Sequence, residues 1–383
     1  MTQLLLCLGE WTQLIEDGEC IDIIYTDFKK AFDSVAHQRL LVKLHNLGID
    51  GRVLDWIRSF LTNREQSVRV NQECSKWSKV ISGIPQGSVI GPLLFVVFIN
   101  DMPMTIKNMC KLFADDCKLY GAVKSDNCSM QEDLTNMYKW SKRWQLPFNE
   151  TKCKVMHIGR RNPHKEYQME GHILEESTCE KDLGVNMDNE LKFHVHSSIA
   201  IKKANQILGV IKRSCCTRDR TTIPLLYKSM VRPHLEYGNI IWGPFYKKDM
   251  KAEESIQRRA TKLVEGGKAR PYEVILKILD IPLLVYRRRR GDMIQVFKIC
   301  KKLVRLNICD VFKITESITR GHQWKIQKGK ATKQQRVNSF SQRVINDWNS
   351  LPTEVVESAT VNTFKNRLDK HWLRYRFDVT GVI

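Results

Sequence analysis

IDIIYTDFKKAF (residues 21–32) is the stretch on which the reading turns. Its first six residues form a β-branched, mostly apolar run, bounded by Gly18 and by charged residues, which reads as a short buried strand ending at Asp27. The next acids of interest stand 88 residues further on, where Asp115 and Asp116 divide the two apolar arms of CKLFADDCKLY (110–120). That pattern predicts a hairpin with acids at its turn. A strand end delivers a side chain to a fixed place at the rim of a sheet, so neighbouring strands can aim Asp27, Asp115 and Asp116 at one point. Carboxylates brought that close raise one another's pKa unless a cation joins them. A divalent ion is the economical resolution, because Mg²⁺ takes few protein carboxylates and completes its shell with water and substrate phosphates. Two such ions about 3.5–4 Å apart clamp an in-line phosphoryl displacement from both sides. Each acid alone has a plainer reading: an Asp-Asp turn is commonly structural, and Asp27 suits the N-cap of a helix beginning near Lys29.

Outward from these acids, Leu4, Leu8, Trp11, Leu14 and Ile15 recur at helical spacing over 2–17. Helical periodicity returns over 34–61, broken at Gly48 and Gly51, and the alternation of 66–71 with a strand-like 77–82 predicts a hairpin. SGIPQGSVIGPLLFVVFINDMP (82–103) is a Gly/Pro-punctuated loop running into an apolar helix expected to be buried. A helix over 129–146 and a strand over 151–158 follow. Beyond Gly159 the chain turns basic and helical, at about 195–213, 221–232, 250–265, 271–279, 283–306 and 339–348. The composition shift near 195 marks the expected domain boundary.

The 383 residues are 42% hydrophobic, which suffices for about two domains. Aromatic and β-branched residues are too frequent for a disordered chain, and no apolar run approaches the ~20 residues of a membrane span. Twelve cysteines without a Cys-x-x-Cys pair argue for a reduced, intracellular protein, and their spacing supports no zinc site. The net charge of +20 is unevenly spread: residues 1–120 sum to −1, residues 121–280 to +8 and residues 281–383 to +13. A near-neutral front carrying carboxylates and a basic back suggest a polyanion held by the second half. The Arg287–Arg290 run fits a nuclear signal or a duplex-facing helix alike.

In order and spacing, TDFKKAFDSVAHQRLLVKL (26–44), SGIPQGSVIGPLLFVVFINDMP (82–103) and LFADDCKLY (112–120) resemble the palm motifs of reverse transcriptases of non-LTR (LINE-like) retrotransposons. LPFNETKCKVMHIG (146–159) looks like the family's fourth motif and KDLGVNMDNELKFHVH (181–196) like the segment near its primer grip. YRRRRGDMIQVFKI (286–299) and FSQRVINDWNSLPTEVVESATVNTFKNRLDKHW (340–372) extend the likeness over nearly the whole chain. The resemblance implies an α+β architecture: a polymerase palm of the ferredoxin-like split βαβ type over 1–194, with core motifs at 21–159, and a basic, mostly helical thumb-like region over 195–383. It implies an RNA-directed DNA polymerase that adds deoxynucleotides to a primer 3′-OH, with an RNA template, a DNA primer and deoxynucleoside triphosphates as partners. Two Mg²⁺ ions, or Mn²⁺ as substitute, would sit on Asp27, Asp115 and Asp116, with the Phe28 carbonyl as a further contact. Phe32 stands where the family keeps an aromatic ring against the sugar 2′ position. Gln86 and Gly87 match the loop under the incoming nucleotide, and Lys152 matches the basic residue of the fourth motif.

The sequence also departs from the pattern. Cys117 follows the acid doublet where the family usually has Thr, a small residue in either case. Only 26 residues precede Asp27, so a chain beginning at Met1 is expected to lack the fingers subdomain and the upstream endonuclease, to polymerise poorly, and to expose apolar palm surface. In the polymerase reading the basic second half tracks the backbone of an RNA–DNA duplex by charge, with an affinity that falls steeply with salt. Two other functions compete with polymerisation: a catalytically inactive remnant, or a non-enzymatic nucleic-acid-binding protein in which only the basic C-terminal half functions.

Overall fold

In the computed structural model, which describes residues 1–123, 129–264, 270–315 and 321–380, the chain divides into two units. One holds residues 19–178; the other joins residues 1–18, with helix α1 (Thr2–Glu16), to residues from 179 onward. The sequence placed a boundary near 195 and gave 1–194 to the first domain; the division falls instead at 178–179. Long-range bonds draw α1 to the later residues. The Glu16 carboxylate accepts from the backbone N–H groups of Thr332 and Lys333, at 2.8 Å each, and Arg336 donates to the Gly9 carbonyl at 3.1 Å.

The 19–178 unit is built on β1 (Ile21–Thr26), whose Ile21, Ile23 and Ile24 are wholly buried. Helices α2 (His37–Asn46) and α3 (Gly51–Leu61) follow, interrupted at Gly48, where φ is +82°. The expected hairpin forms as two shorter ladders: β2 (Arg64–Gln66) with β5 (Ser78–Val80), and between them β3 (Arg69–Val70) with β4 (Glu73–Cys74). Helix α4 (Gly91–Ile99) buries Leu94, Phe95, Phe98 and Ile99, but Leu93 and Val96 are exposed, so the helix expected to be buried leaves one flank open. Next come β6 (Met109–Phe113), β7 (Asp116–Ala122), α5 (Ser129–Trp144) and β8 (Lys154–Ile158). A small hairpin, β9 (Gln168–Met169) with β10 (His172–Ile173), leads to β11 (Glu175–Glu176).

The sheet runs β11-β8-β1-β7-β6. β1 is antiparallel to both neighbours, β6 is antiparallel to β7, and β11 is parallel to β8. With α4 between β1 and β6, and α5 between β7 and β8, the chain follows β-α-β-β-α-β order, its last main strand beside its first. Helix α5 turns Met130, Leu134, Met137 and Trp140 inward at helical spacing. Its buried Asp133 accepts from the backbone N–H groups of Lys107 (2.9 Å) and Asn108 (2.7 Å), which fixes the entry to β6.

The second unit is helical. After the hairpin β12 (Cys179–Asp182) and β13 (Val185–Asp188), the Asp188 carboxylate gathers the N–H groups of Glu190, Lys192 and Phe193 at the head of α6 (His194–Ser214). The helix expected over 221–232 becomes α7 (Thr222–Leu226), a wide π-helical turn at Tyr227–Val231, and α8 (Arg232–Glu236). Helices α9 (Lys247–Thr261), α10 (Tyr272–Leu279) and α11 (Leu284–Cys300) follow. Residue 265, the expected end of α9, lies outside the described residues.

The arginine run on α11 corrects a sequence expectation. All four side chains are taken by acids of the same unit: Arg287 by Glu236 (2.9 Å), Arg288 by Glu253, Arg289 by Asp347 (2.7 and 2.8 Å) and Arg290 by Asp369 (2.8 Å). Arg288 is buried against a Glu253 with no exposed surface. The run ties helices together and is not a free basic face. Among the described residues all cysteines are free, and no helix is long and apolar enough to cross a membrane.

Candidate active site

The register of the sheet decides where the acids fall. β1 and β7 pair from Ile21↔Ala122 to Thr26↔Cys117, so Asp27 emerges one step past the last pair, on the level of Asp116. β6 and β7 close at Phe113↔Asp116, which leaves Ala114 and Asp115 as a two-residue turn, Ala114 at φ +51°. Asp27 and Asp115 are half-buried and Asp116 is exposed. No helix begins near Lys29, so Asp27 is not a helix cap; the chain instead crosses to 147–149. There Asn149 donates to the Asp27 carbonyl at 2.7 Å, Lys29 donates to the Pro147 carbonyl at 2.8 Å, and the Phe28 and Phe148 rings stack with centroids 4.5 Å apart. These two bonds flank Phe28 and leave its carbonyl out of the bridge.

Lys152 reaches the Asp27 carboxylate at 3.5 Å, and Lys29 pairs with Glu150 at 2.8 Å, holding the Glu150 carboxyl below its ordinary pKa. The three aspartates do not close on one point by themselves. Among the described residues, the trio of His, Cys, Asp and Glu whose ligating atoms all lie within 4.8 Å is a different one, His157, His164 and Glu176. Like charge keeps carboxylates apart until a cation joins them, and Lys152 stands as the counter-ion of Asp27. As a donor set, three carboxylates at the abutting ends of two paired strands suit a hard divalent ion.

A second group gathers beside α4. Residues 32–35 are laced to 82–86: Ile84 donates to the Phe32 carbonyl and Gly83 to that of Val35 (2.8 Å each), Ser82 Oγ to that of Asp33 (2.9 Å), and Gln86 Nε2 to the Asp33 carboxylate (3.0 Å). The Phe32 ring is partly buried and stacks on Phe95 of α4, centroids 4.5 Å apart. Phe32, Gln86 and Gly87 therefore share one neighbourhood. Gly87 sits at φ +82° with open space where a Cβ would be, and Ser88 Oγ accepts from the Gly91 N–H, at the start of α4, at 3.0 Å.

The sequence reading missed the residues that hold this loop: Asp33, His37, which contacts the Gly83 carbonyl at 2.8 Å, and Arg64, which donates to the same oxygen at 2.9 Å. The visible signal was the glycine itself. Gly83 has φ +89°, and a Cβ there would stand 2.7 Å from Asp33 Cα. Gly83→Ala is therefore expected to cost about 1–3 kcal/mol, the scale of a strained backbone position, and to lower Tm in thermal unfolding of the full chain. An unchanged Tm would refute the tight clamp.

A family model described as reverse transcriptase (RNA-dependent DNA polymerase) matches residues 12–209. The chain is 29% identical over 272 residues to a probable RNA-directed DNA polymerase from transposon BS of Drosophila melanogaster, covering 66% of this chain and 30% of that protein. It is 27% identical over 314 residues to the RNA-directed DNA polymerase from mobile element jockey of the same organism, covering 77% and 33%. The chain thus spans about a third of the length of these relatives. Among solved structures, apo telomerase from Candida tropicalis aligns with a TM-score of 0.43 at 10% identity, over 72% of this chain and 47% of that one.

Proposed function

The chain belongs to the reverse transcriptase family, and we propose that it carries the polymerase chemistry of a non-LTR retrotransposon, template-directed addition of deoxynucleotides to a primer 3′-OH. The observation that supports this most is the register that brings Asp27, at the end of β1, level with the Asp115–Asp116 turn of the adjoining hairpin. In this reading residues 19–178 contain the palm, and the helical residues from 179 onward form the thumb-like region beside an RNA–DNA duplex. Asp27, Asp115 and Asp116, with the Phe28 carbonyl, would hold divalent ions, Mg²⁺ or Mn²⁺. When bound, these supply acidification of the primer hydroxyl and neutralisation of charge on the triphosphate.

The chain's own residues do the positioning. Phe32, braced on Phe95, would stand against the sugar and exclude a ribose 2′-OH. Gln86 has both a donor and an acceptor for sugar or base, and Gly87, with no side chain and open space around it, admits a nucleotide close to the backbone. Lys152, paired with Asp27 and largely exposed, can turn to an incoming phosphate and serve as a proton donor to the leaving pyrophosphate. The alternative of a basic binding protein without catalysis loses part of its support, since Arg287–Arg290 are already paired within the chain.

Extension of oligo(dT) on poly(rA) by the full chain, in enzyme excess, tests the proposal. Divalent-ion-dependent incorporation of dTMP is expected, above that of a variant lacking Asp115 and Asp116. Parent and variant that are alike in both extension and Mn²⁺ binding would overturn it. The sugar gate has its own test. Phe32→Val is expected to raise the use of UTP relative to dTTP by about 10–100-fold, the scale on which a pocket discriminates small steric differences. An unchanged ratio would leave Phe32 a core residue only.

A further inference from the structure

Five residues back along β1 from Asp27, about 16 Å at the usual strand rise, a second constellation forms on the same sheet. His157 lies near the end of β8, His164 in the loop after it, and Glu176 in edge strand β11. One ligating atom from each lies within 4.8 Å of the others. His164 Nδ1 and Glu176 Oε1 are already 2.9 Å apart, and the two imidazole centroids are 4.8 Å apart, with the rings tilted by 52°.

A surface pair between His164 and Glu176 would account for their own contact. It leaves unexplained what stands behind His157. There the Asp22 carboxylate, with no exposed surface, contacts His157 Nδ1 at 2.6 Å and takes further hydrogen bonds from Tyr167 OH (2.5 Å) and Asn162 Nδ2 (2.8 Å). A carboxylate on one imidazole nitrogen fixes the tautomer and directs the other nitrogen outward, which is the arrangement found behind metal-bound histidines. Asn162 also fixes the loop, since its Oδ1 accepts from the His164 N–H at 2.9 Å with His164 at φ +52°. Asp22 and Asn162 thus orient both histidines from the buried side.

We propose that His157, His164 and Glu176 hold a zinc ion, with Asp22 as the positioning residue behind His157. Two imidazoles and one carboxylate are a zinc donor set; Mg²⁺ and Ca²⁺ prefer oxygen alone. At metal–ligand distances of about 2.0–2.2 Å, tetrahedral ligand atoms stand about 3.4 Å apart. His164 and Glu176 are roughly half exposed, so rotation of their side chains can bring both toward His157 and open their own 2.9 Å contact to that spacing. With His164 and Glu176 exposed, a fourth ligand would be water. The ion would tie β8, the 159–166 loop and β11 together, at a sheet edge where β11 pairs through two residues only.

Cobalt(II) titration of the full, reduced chain, followed by displacement with zinc, tests this without reference to polymerase activity. One equivalent is expected to bind with the visible absorption of a four-coordinate nitrogen–oxygen site and no thiolate charge-transfer band, which separates it from the free cysteines. His164→Ala and Glu176→Gln lie on exposed side chains and should leave the fold intact by circular dichroism. Each should weaken binding by about 100-fold, at the upper end of what loss of an outer-shell partner alone costs. Absence of a stoichiometric site, a thiolate band, or parent-like affinity in either variant would overturn the proposal.

Discussion

Asp115→Asn combined with Asp116→Asn is expected to lower Mg²⁺-dependent primer extension by about 10³-fold, the loss seen when preorganised charge stabilisation is removed from a polar transition state. Bound Mn²⁺, measured by electron paramagnetic resonance, should fall with it. The substitution is nearly isosteric and sits at a hairpin tip where Asp115 is half-buried and Asp116 exposed, so stability should move by no more than about 0.5 kcal/mol. Asn also tolerates the turn, and removing two like charges relieves repulsion with Asp27. Unchanged Tm with lost Mn²⁺ and lost extension is thus the signature of a metal site. Lost Tm together with lost extension would make the doublet structural. Asp27→Asn provides the matching test from the other strand, since it leaves the hairpin untouched.

What could be read from the sequence was local. The β-branched run 21–26 and the two arms around Ala114–Asp115 carry their strand signal within a few residues, and the acids at their ends are fixed by position alone. The pairing that makes them neighbours, Thr26 with Cys117, spans 91 residues and came from the family pattern, not from periodicity. Where no pattern bridged the distance, the reading failed. Helix α1 joined the later unit through contacts more than 300 residues away in sequence. His157, His164 and Glu176 match no ligand spacing and meet because β11 lies parallel to β8. Arg287–Arg290 looked like a basic face because their acids stand 35 to 79 residues away, on other helices. A charge run in sequence states supply; only the fold states how much is already neutralised.

The innermost of those pairs carries the largest expected stability effect. Arg288 lies buried against the wholly buried Glu253, whose Oε1 also accepts from Ser197 Oγ at 3.2 Å, and Glu254 adds a second buried acid next to it. Burial pushes the Glu253 carboxyl up, to about 7, against the pull of Arg288 and Ser197. Arg288→Met fills most of the space but leaves Glu253 without its cation, and breaking such a pair from one side costs about 3–5 kcal/mol. That cost should depend on pH. Without Arg288 the folded-state pKa of Glu253 rises further while the unfolded value stays ordinary, so the folded variant binds the extra proton. Its stability is then greatest at low pH and declines as pH rises through the raised value. Urea unfolding should accordingly show a larger cost at pH 8 than at pH 6. Adding Glu253→Gln removes the orphaned charge while keeping a partner for Ser197, and should recover most of the loss and flatten its pH dependence. A cost equal at both pH values, or a double variant no more stable than Arg288→Met, would mean that Arg288 contributes by packing and not by neutralising Glu253.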